Sequence, residues 1–190
     1  MDISKILETV KNYIGDYINM IFTVFTAART LHQETVKNYS EDAQGPLIGF
    51  SSKASPGKTL KKFPPQIIAN SFISIFIGSF LHRLNPSFNA SDDPVRWIIL
   101  VLMFWVMYLL VVFGLFKLVK GRLNLLNFLA VGLQINASAY IVSSFLSLLA
   151  SMFFSNTILF SMQLPMVVYI GVQSLLLIVL TPISLSEFIS

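Results

Sequence analysis

Apolar side chains along this 190-residue chain form several long runs that are not interrupted by charge. The clearest run, residues 97–116, reads WIILVLMFWVMYLLVVFGLF and has no Asp, Glu, Lys, Arg or His. About 20 apolar residues at a rise of 1.5 Å cross the ~30 Å hydrocarbon core of a bilayer, where a segment must satisfy its own backbone hydrogen bonds. The pattern predicts an all-α membrane protein with four transmembrane helices, at about 66–81, 97–119, 127–154 and 158–180.

The first 32 residues have a different pattern. Apolar residues recur at three- and four-residue spacing through Ile3, Leu7, Val10 and Ile14, while the opposite face is polar and charged. The stretch that is nearly free of polar residues, 17–28, is too short to span a bilayer. Residues 1–32 are therefore predicted to form an amphipathic helix that lies in the membrane interface.

Residues 33–65 are polar and rich in Gly, Pro and Ser, which predicts a cytosolic loop. A basic cluster of Lys58, Lys61 and Lys62 ends this loop just before the first span. Each charge would attract anionic lipid by about 1 kcal/mol. The cluster would equally serve as an orientation determinant, and that role alone is sufficient to explain it.

The distribution of Lys and Arg predicts the orientation of the spans. Residues 1–66 carry eight of these side chains and residues 117–122 carry three, whereas the 82–96 loop carries two. Positive charge concentrates on the cytoplasmic side of membrane proteins, so both termini are predicted to be cytoplasmic. The inner membrane of a bacterium is the favoured location, and a eukaryotic endomembrane is the alternative.

Composition excludes several classes of protein. The chain is 55% hydrophobic and 12% charged, well below the ~25% charged residues of soluble domains. It has no cysteine, which excludes disulfides, thiolate metal sites and cysteine nucleophiles. The net charge of +4 reports membrane topology, so no nucleic-acid partner is predicted. The expected partners are membrane lipids and other membrane-protein subunits.

Small residues recur every four positions in two of the predicted spans. Such spacing lets helix backbones approach closely, and close packing drives helix association in lipid. We therefore predict helix-packing positions in the first span and in the third. They are Asn70, Ser74 and Gly78, followed by Ala139, Ser143, Ser147 and Ser151.

The third span also carries more polar side chains than a membrane helix usually does. One interpretation is a polar groove for a solute or a lipid headgroup. The favoured interpretation is interhelical hydrogen bonding, at ~0.6 kcal/mol for each bond. The candidate groove residues are Asn127, Gln134, Asn136, Tyr140 and Ser144.

Catalytic chemistry is not evident in the sequence. No carboxylate, lysine or arginine lies in the central part of a predicted span, and the two histidines, His32 and His82, fall in flanks predicted to lie on opposite membrane faces. Proton and sodium coupling commonly uses buried ionisable side chains, so an ion-coupled pump is disfavoured. We predict no catalytic residue, no metal site, no cofactor and no enzymatic activity.

Two segments resemble Yip1-domain proteins. KTLKKFPPQIIANSFISIFIGSFL looks like the entry to that family's first span, and KLVKGRLNLLNFLAVGLQINASAYIVSSFLSLL is similar to its third-span region. The likeness covers residues 58 to about 150. It implies a multi-pass membrane protein without catalytic residues, since eukaryotic members act in vesicle trafficking and contact small GTPases through cytosolic regions.

These observations predict a non-enzymatic multi-pass membrane adaptor or accessory subunit of a larger membrane assembly. The prediction depends on abundant packing surface and on the absence of recognisable chemistry. The alternative is a transport or lipid-handling component that uses the polar residues of the third span. The two differ in whether Asn136, Tyr140 and Ser144 face a cavity or a neighbouring helix.

Overall fold

The computed structural model describes residues 3–31, 33–35, 64–86, 94–118, 125–154, 156–159 and 162–185. The basic cluster Lys58, Lys61 and Lys62 and most of the predicted 33–65 loop lie outside these described residues. The described chain contains five α-helices, one 3-10 turn (Ala28–Thr30) and one short β-hairpin. The elements are α1 (Ile3–Thr26), α2 (Pro65–Leu84), α3 (Pro94–Leu118), α4 (Leu125–Phe154), β1 (Ile158–Leu159), β2 (Met162–Gln163) and α5 (Leu164–Leu185).

Helices α2 to α5 are each long and apolar enough to cross a membrane. They follow an N-terminal helix that is charged on one side and apolar on the other. The predicted fold class, four spanning helices preceded by an amphipathic helix, is confirmed. The chain is an integral membrane protein of the multi-pass type.

Several boundaries differ from the predicted ones. The N-terminal helix ends at Thr26 and is followed by the 3-10 turn, while Gln33–Thr35, predicted as loop, is helical. Helix α2 continues three residues beyond Leu81, to Leu84, which brings His82 into the span. Helices α3 and α4 begin at Pro94 and Leu125, slightly before the predicted starts of 97 and 127.

The fourth span was placed too early, because α5 begins at Leu164 and ends at Leu185. Residues 158–163 are apolar, but they pair as a hairpin in which Ile158 lies opposite Gln163 and Leu159 lies opposite Met162. Hydropathy does not distinguish a short apolar strand from the first turns of a helix. Pro165 marks the real start, since proline is tolerated where the N–H has no helical partner.

Helix α4 is the centre of the bundle. Helix α2 runs parallel to it, since Gly78 faces Tyr140 and Asn85 bonds to Ser147. Helix α5 runs antiparallel to it, since Ser147 bonds to the Pro165 carbonyl while Ala139 shares a core cluster with Leu177 near the other end. The start of α2 and the end of α5 therefore lie at the same end of the bundle. We call the opposite end, where α2 ends and α5 begins, the far end.

Helix α3 packs against the bundle through a few large side chains. Leu109 contacts Gly132, and Phe116 shares a cluster with Phe128 of α4. Tyr108 reaches α5, where its hydroxyl lies 2.6 Å from the Thr181 hydroxyl. Much of the remaining surface of α3 is exposed and apolar, as suits a helix surrounded by lipid.

Helix α1 is fixed to the bundle by hydrogen bonds. Tyr13 and Tyr17 meet α2 at Asn70 and Ser74. After α1 has ended at Thr26, Thr35 bonds to Gln134 of α4, which lies at a similar level of the bundle. The N-terminal segment is therefore held against both α2 and α4.

The side chains of α1 divide into three sectors. One sector is buried against the bundle, at Tyr17, Met20 and Val24. The adjacent sector is apolar but exposed, at Leu7, Ile14 and Ile18. The third is polar and exposed, at Lys5, Glu8, Asp16 and Asn19. A helix in the interface beside a spanning bundle meets protein, lipid and water on three such sides.

Candidate functional site

The five candidate groove residues of α4 are all buried. None of them is more than 5% exposed. They nevertheless do not lie together, because Asn127 and Gln134 fall on a different side of the helix from the other three at 100° per residue. The residues are Asn127, Gln134, Asn136, Tyr140 and Ser144.

The two sides of α4 have different neighbours. The Gln134 amide donates to the Thr35 hydroxyl at 2.9 Å and to the Ala130 carbonyl at 3.1 Å, so this side meets the segment that follows α1. The Tyr140 hydroxyl accepts from the Trp97 indole of α3 at 3.1 Å. The structure thus shows helix-to-helix contacts at both of these positions.

Asn136 lies on the side of α4 that faces α3. Its amide donates to the Gly132 carbonyl at 2.8 Å, and Gly132 contacts Leu109 one turn away from Trp105. Within the described residues, neither the Asn136 carbonyl nor the Trp105 indole N–H has a hydrogen-bond partner, and both are buried. A buried polar group without a partner costs about 1–3 kcal/mol. A polar group that reached either of these atoms would gain a hydrogen bond.

The small-residue positions of α4 are buried in contacts with α2 and α5. Ser147 accepts a hydrogen bond from the Asn85 amide at 3.0 Å and donates its own proton to the Pro165 carbonyl at 2.7 Å. One hydroxyl therefore joins three helices. The other positions of the stripe are also buried, at Ala139, Ser143 and Ser151.

Two of the predicted packing positions of α2, Asn70 and Ser74, are bonded to α1. Tyr13 donates to the Asn70 carbonyl oxygen at 2.7 Å, and the Tyr17 and Ser74 hydroxyls also lie 2.7 Å apart. Ser74 donates its only proton to the Asn70 backbone carbonyl at 2.9 Å, so Tyr17 is the donor to Ser74. Two of the three predicted packing positions of α2 thus hold α1.

Gly78, the third predicted packing position of α2, contacts α4. A Cβ atom built on Gly78 would overlap the ring of Tyr140. That ring is fully buried and is held through its hydroxyl by Trp97, with Ser79 at 3.4 Å. Glycine is needed here because the two helices approach to the thickness of an aromatic ring.

His82 is buried at the far end of the bundle. Its ring is 3% exposed, and its Nε2 lies 3.2 Å from the Ser144 hydroxyl. Three aromatic rings surround it, from three different helices. Their centroid distances are 4.5 Å to Tyr169, 5.4 Å to Trp97 and 5.8 Å to Tyr140.

This burial corrects the assignment of His82 to a loop. An ionisable side chain within a spanning helix is a functional candidate by default, and the sequence analysis missed this one. A signal was present, because His82 continues the four-residue register of Asn70, Ser74 and Gly78. His32 lies outside the described residues.

The side chains described above contact His82 through a hydrogen bond and through aromatic rings. Among the described residues, no group of three or more His, Asp or Glu side chains is placed to hold a metal ion. His82 and the three rings around it therefore connect the far ends of α2, α3, α4 and α5, through aromatic packing and the hydrogen bond to Ser144.

Comparison of the chain with protein-family models, with curated proteins and with solved structures finds no match. The resemblance to Yip1-domain proteins consequently stays a prediction. The functional argument depends on the geometry of the bundle itself.

Proposed function

We propose that the protein is a non-enzymatic multi-pass membrane adaptor or accessory subunit of a larger membrane assembly. The observation that carries this proposal is the burial of the polar residues of α4. Four of these side chains are no more than 5% exposed, and each bonds to another segment of the same chain. They are Gln134, Tyr140, Ser144 and Ser147. Polar side chains used in this way fix the arrangement of helices.

In this proposal, partner contact involves α1 and the polar segment that follows it. The apolar side chains in the first turns of α1 are exposed, at Ile3, Leu7 and Val10. Charged residues occupy the other side of the same turns, at Lys5 and Glu8. An amphipathic helix at the edge of a bundle can lie on lipid and contact a neighbouring subunit at the same time.

The orientation we propose places both termini in the cytoplasm, on the side where eleven of the 13 Lys and Arg residues occur. A bacterial inner membrane is the favoured location, and a eukaryotic endomembrane is the alternative. A relationship to Yip1-domain proteins would agree with an adaptor role. Members of that family usually have five spans, whereas the described residues here include four.

The test is extraction of the tagged chain from its native membrane into polymer-bounded lipid discs, followed by mass spectrometry of everything that co-purifies. We expect a second membrane protein in a fixed ratio to this chain. Leu7→Glu should reduce the recovery of that partner, because it places a charge in the exposed apolar sector of α1. Glu8→Gln, on the polar side, is the matched control. Recovery of the chain as a monomer with lipid alone would refute the adaptor proposal.

The second candidate is a transport or lipid-handling function. It is favoured by the buried Asn136 carbonyl and the buried Trp105 indole, which lack hydrogen-bond partners among the described residues. A polar solute or headgroup that entered between α3 and α4 and reached either group would gain a hydrogen bond. This candidate requires the interface to open, and a specific lipid or solute retained at fixed ratio in the extracted discs would favour it.

A further inference from the structure

The connection between α4 and α5 carries an unusual number of exposed apolar side chains. At the end of α4 and in the described part of this connection, six large apolar residues are between 41% and 76% exposed. We call this set the α4–α5 tip. It consists of Met152, Phe153, Phe154, Ile158, Leu159 and Met162.

The tip projects beyond the far ends of two neighbouring helices. Asn85, directly after α2, bonds to Ser147, and Ser147 bonds to the carbonyl of Pro165 in the first turn of α5. The ends of α2 and α5 are therefore level with Ser147. Helix α4 continues to Phe154, which adds ~10 Å at 1.5 Å per residue.

The tip has no charge that would hold it in water. From Leu123 to Ser186 the sequence contains no Asp, Glu, Lys, Arg or His. Part of the backbone is paired internally, through the β1–β2 ladder and through the Leu164 N–H, which donates to the Thr157 carbonyl at 2.7 Å. A segment that enters an apolar layer must pair its backbone N–H and C=O groups within the protein, because no water is there to bind them.

Helix α4 is as long as a whole bilayer is thick. It has 30 residues and rises ~45 Å, which matches the ~40–45 Å of the hydrocarbon core and both headgroup layers. Helix α2 has 20 residues and rises ~30 Å, which matches the hydrocarbon core alone. Because the two helices begin at a similar level, the tip at the end of α4 reaches the headgroup layer at the far end of the bundle. The exposed Arg83 and Arg96 near the far ends of α2 and α3 have long apolar stems that let their charged groups reach the headgroups.

We propose that the α4–α5 tip is inserted into the lipid interface of the leaflet opposite α1. Its apolar side chains contact the boundary between headgroups and acyl chains. The tip and α1 thus anchor the bundle at both interfaces, one through a hairpin and the other through an amphipathic helix. Lipid is the occupant because the surface is apolar, uncharged and at the depth at which the bilayer ends.

The test uses the absence of cysteine from the chain. A nitroxide spin label is attached to single-cysteine variants in vesicles of phosphatidylcholine and phosphatidylglycerol, and its collision rates with oxygen and with a water-soluble nickel chelate are compared. Ile158→Cys is the test position. Ile178→Cys, exposed on α5, is the lipid control, and Asn19→Cys, on the polar side of α1, is the water control.

We expect the Ile158 label to collide more often with oxygen than with nickel, as the Ile178 label does, while the Asn19 label shows the reverse. A preference for nickel at Ile158 would place the tip in water and overturn the proposal. A label that is immobile and reached by neither reagent would also overturn it, because a second copy or another protein would then cover the tip. Unchanged thermal unfolding of each labelled variant confirms that the fold is retained.

Discussion

Tyr17 of α1 donates its hydroxyl proton to Ser74 of α2, and the two oxygens are 2.7 Å apart. Ser74 is fully buried and Tyr17 is 8% exposed, so this bond lies where α1 enters the bundle. It shows how the amphipathic N-terminal helix is fixed to the four helices that are long and apolar enough to span a membrane. A polar side chain of a spanning helix supplies the acceptor, and a tyrosine reaches it from the side.

Tyr17→Phe should loosen α1 with little change elsewhere. The substitution removes one buried hydrogen bond, which is worth about 1 kcal/mol. Ser74 keeps its bond to the backbone carbonyl of Asn70, so the bundle itself stays intact. Hydrogen–deuterium exchange by mass spectrometry should report faster exchange in α1 and an unchanged rate in α4. Equal rates in α1 of the variant and the wild type would show that this bond does not hold the helix.

The same contact predicts a loss of stability at high pH. Burial raises the pKa of the Tyr17 phenol above its ordinary value of 10.0, so the folded state favours the neutral form. The stabilisation is complete below pH 10.0 and is lost as the pH rises through the higher pKa of the folded state. Thermal unfolding between pH 8 and about 11 should therefore fall more steeply for the wild type than for Tyr17→Phe. Parallel curves would contradict this assignment.

Gly78→Ala should destabilise the bundle because its new methyl group overlaps the ring of Tyr140. Overpacking in a tight interface costs about 1–3 kcal/mol. Gly171→Ala on α5 is the matched control, since a Cβ at that position has no atom within 4 Å. Thermal unfolding in detergent should separate the two variants, and equal tolerance would mean that α2 and α4 are not in close contact at this point.

Ser147→Leu tests the small-residue stripe of α4. The added bulk enters a site that is fully buried between α2 and α5, and the bond to the Pro165 carbonyl is lost. We expect a loss of about 1–3 kcal/mol in the free energy of unfolding. Val142→Leu, at a half-buried position of the same helix, should be much milder. If both variants melted at the same temperature, the four-residue spacing would have no structural meaning.

The proposed orientation has its own test. Single cysteines at Ser55, Ser91, Asn124 and Ser190 are treated with an impermeant thiol reagent in intact cells. Only Ser91→Cys should react, because it lies in the connection between the first two spans, predicted to be outside. Reaction at Ser55→Cys would reverse the orientation that the positive charges predict.

Much of the fold could be predicted from the sequence because hydropathy reports burial in lipid directly. The runs that contain α3 and α4 were assigned to within a few residues. The start of α5 was not, since Ile158 and Leu159 are as apolar as a span but pair as a strand. The boundary between the strand and the helix depends on backbone hydrogen bonds, which hydropathy does not record.

The functional candidates were predicted less well, because they depend on which helix faces which. The sequence indicated that Asn70 and Ser74 pack against a helix, but not that the helix would be α1. His82 appeared to be a flanking residue because it precedes Arg83 and Pro86. Its burial comes from aromatic residues of α3, α4 and α5, whose position is set by the tertiary structure.

The central claim is that the polar residues of α4 hold helices together and do not line a pathway. Asn136 gives the most direct test, since it is fully buried and its carbonyl lacks a hydrogen-bond partner within the described residues. The measurement is the rate at which Asn136→Cys reacts with a water-soluble cationic methanethiosulfonate reagent in reconstituted vesicles. Asn19→Cys, on the exposed polar side of α1, sets the rate for an accessible site. We predict no detectable reaction at position 136, whereas a rate approaching that of Asn19→Cys would show a wet pathway and contradict the account.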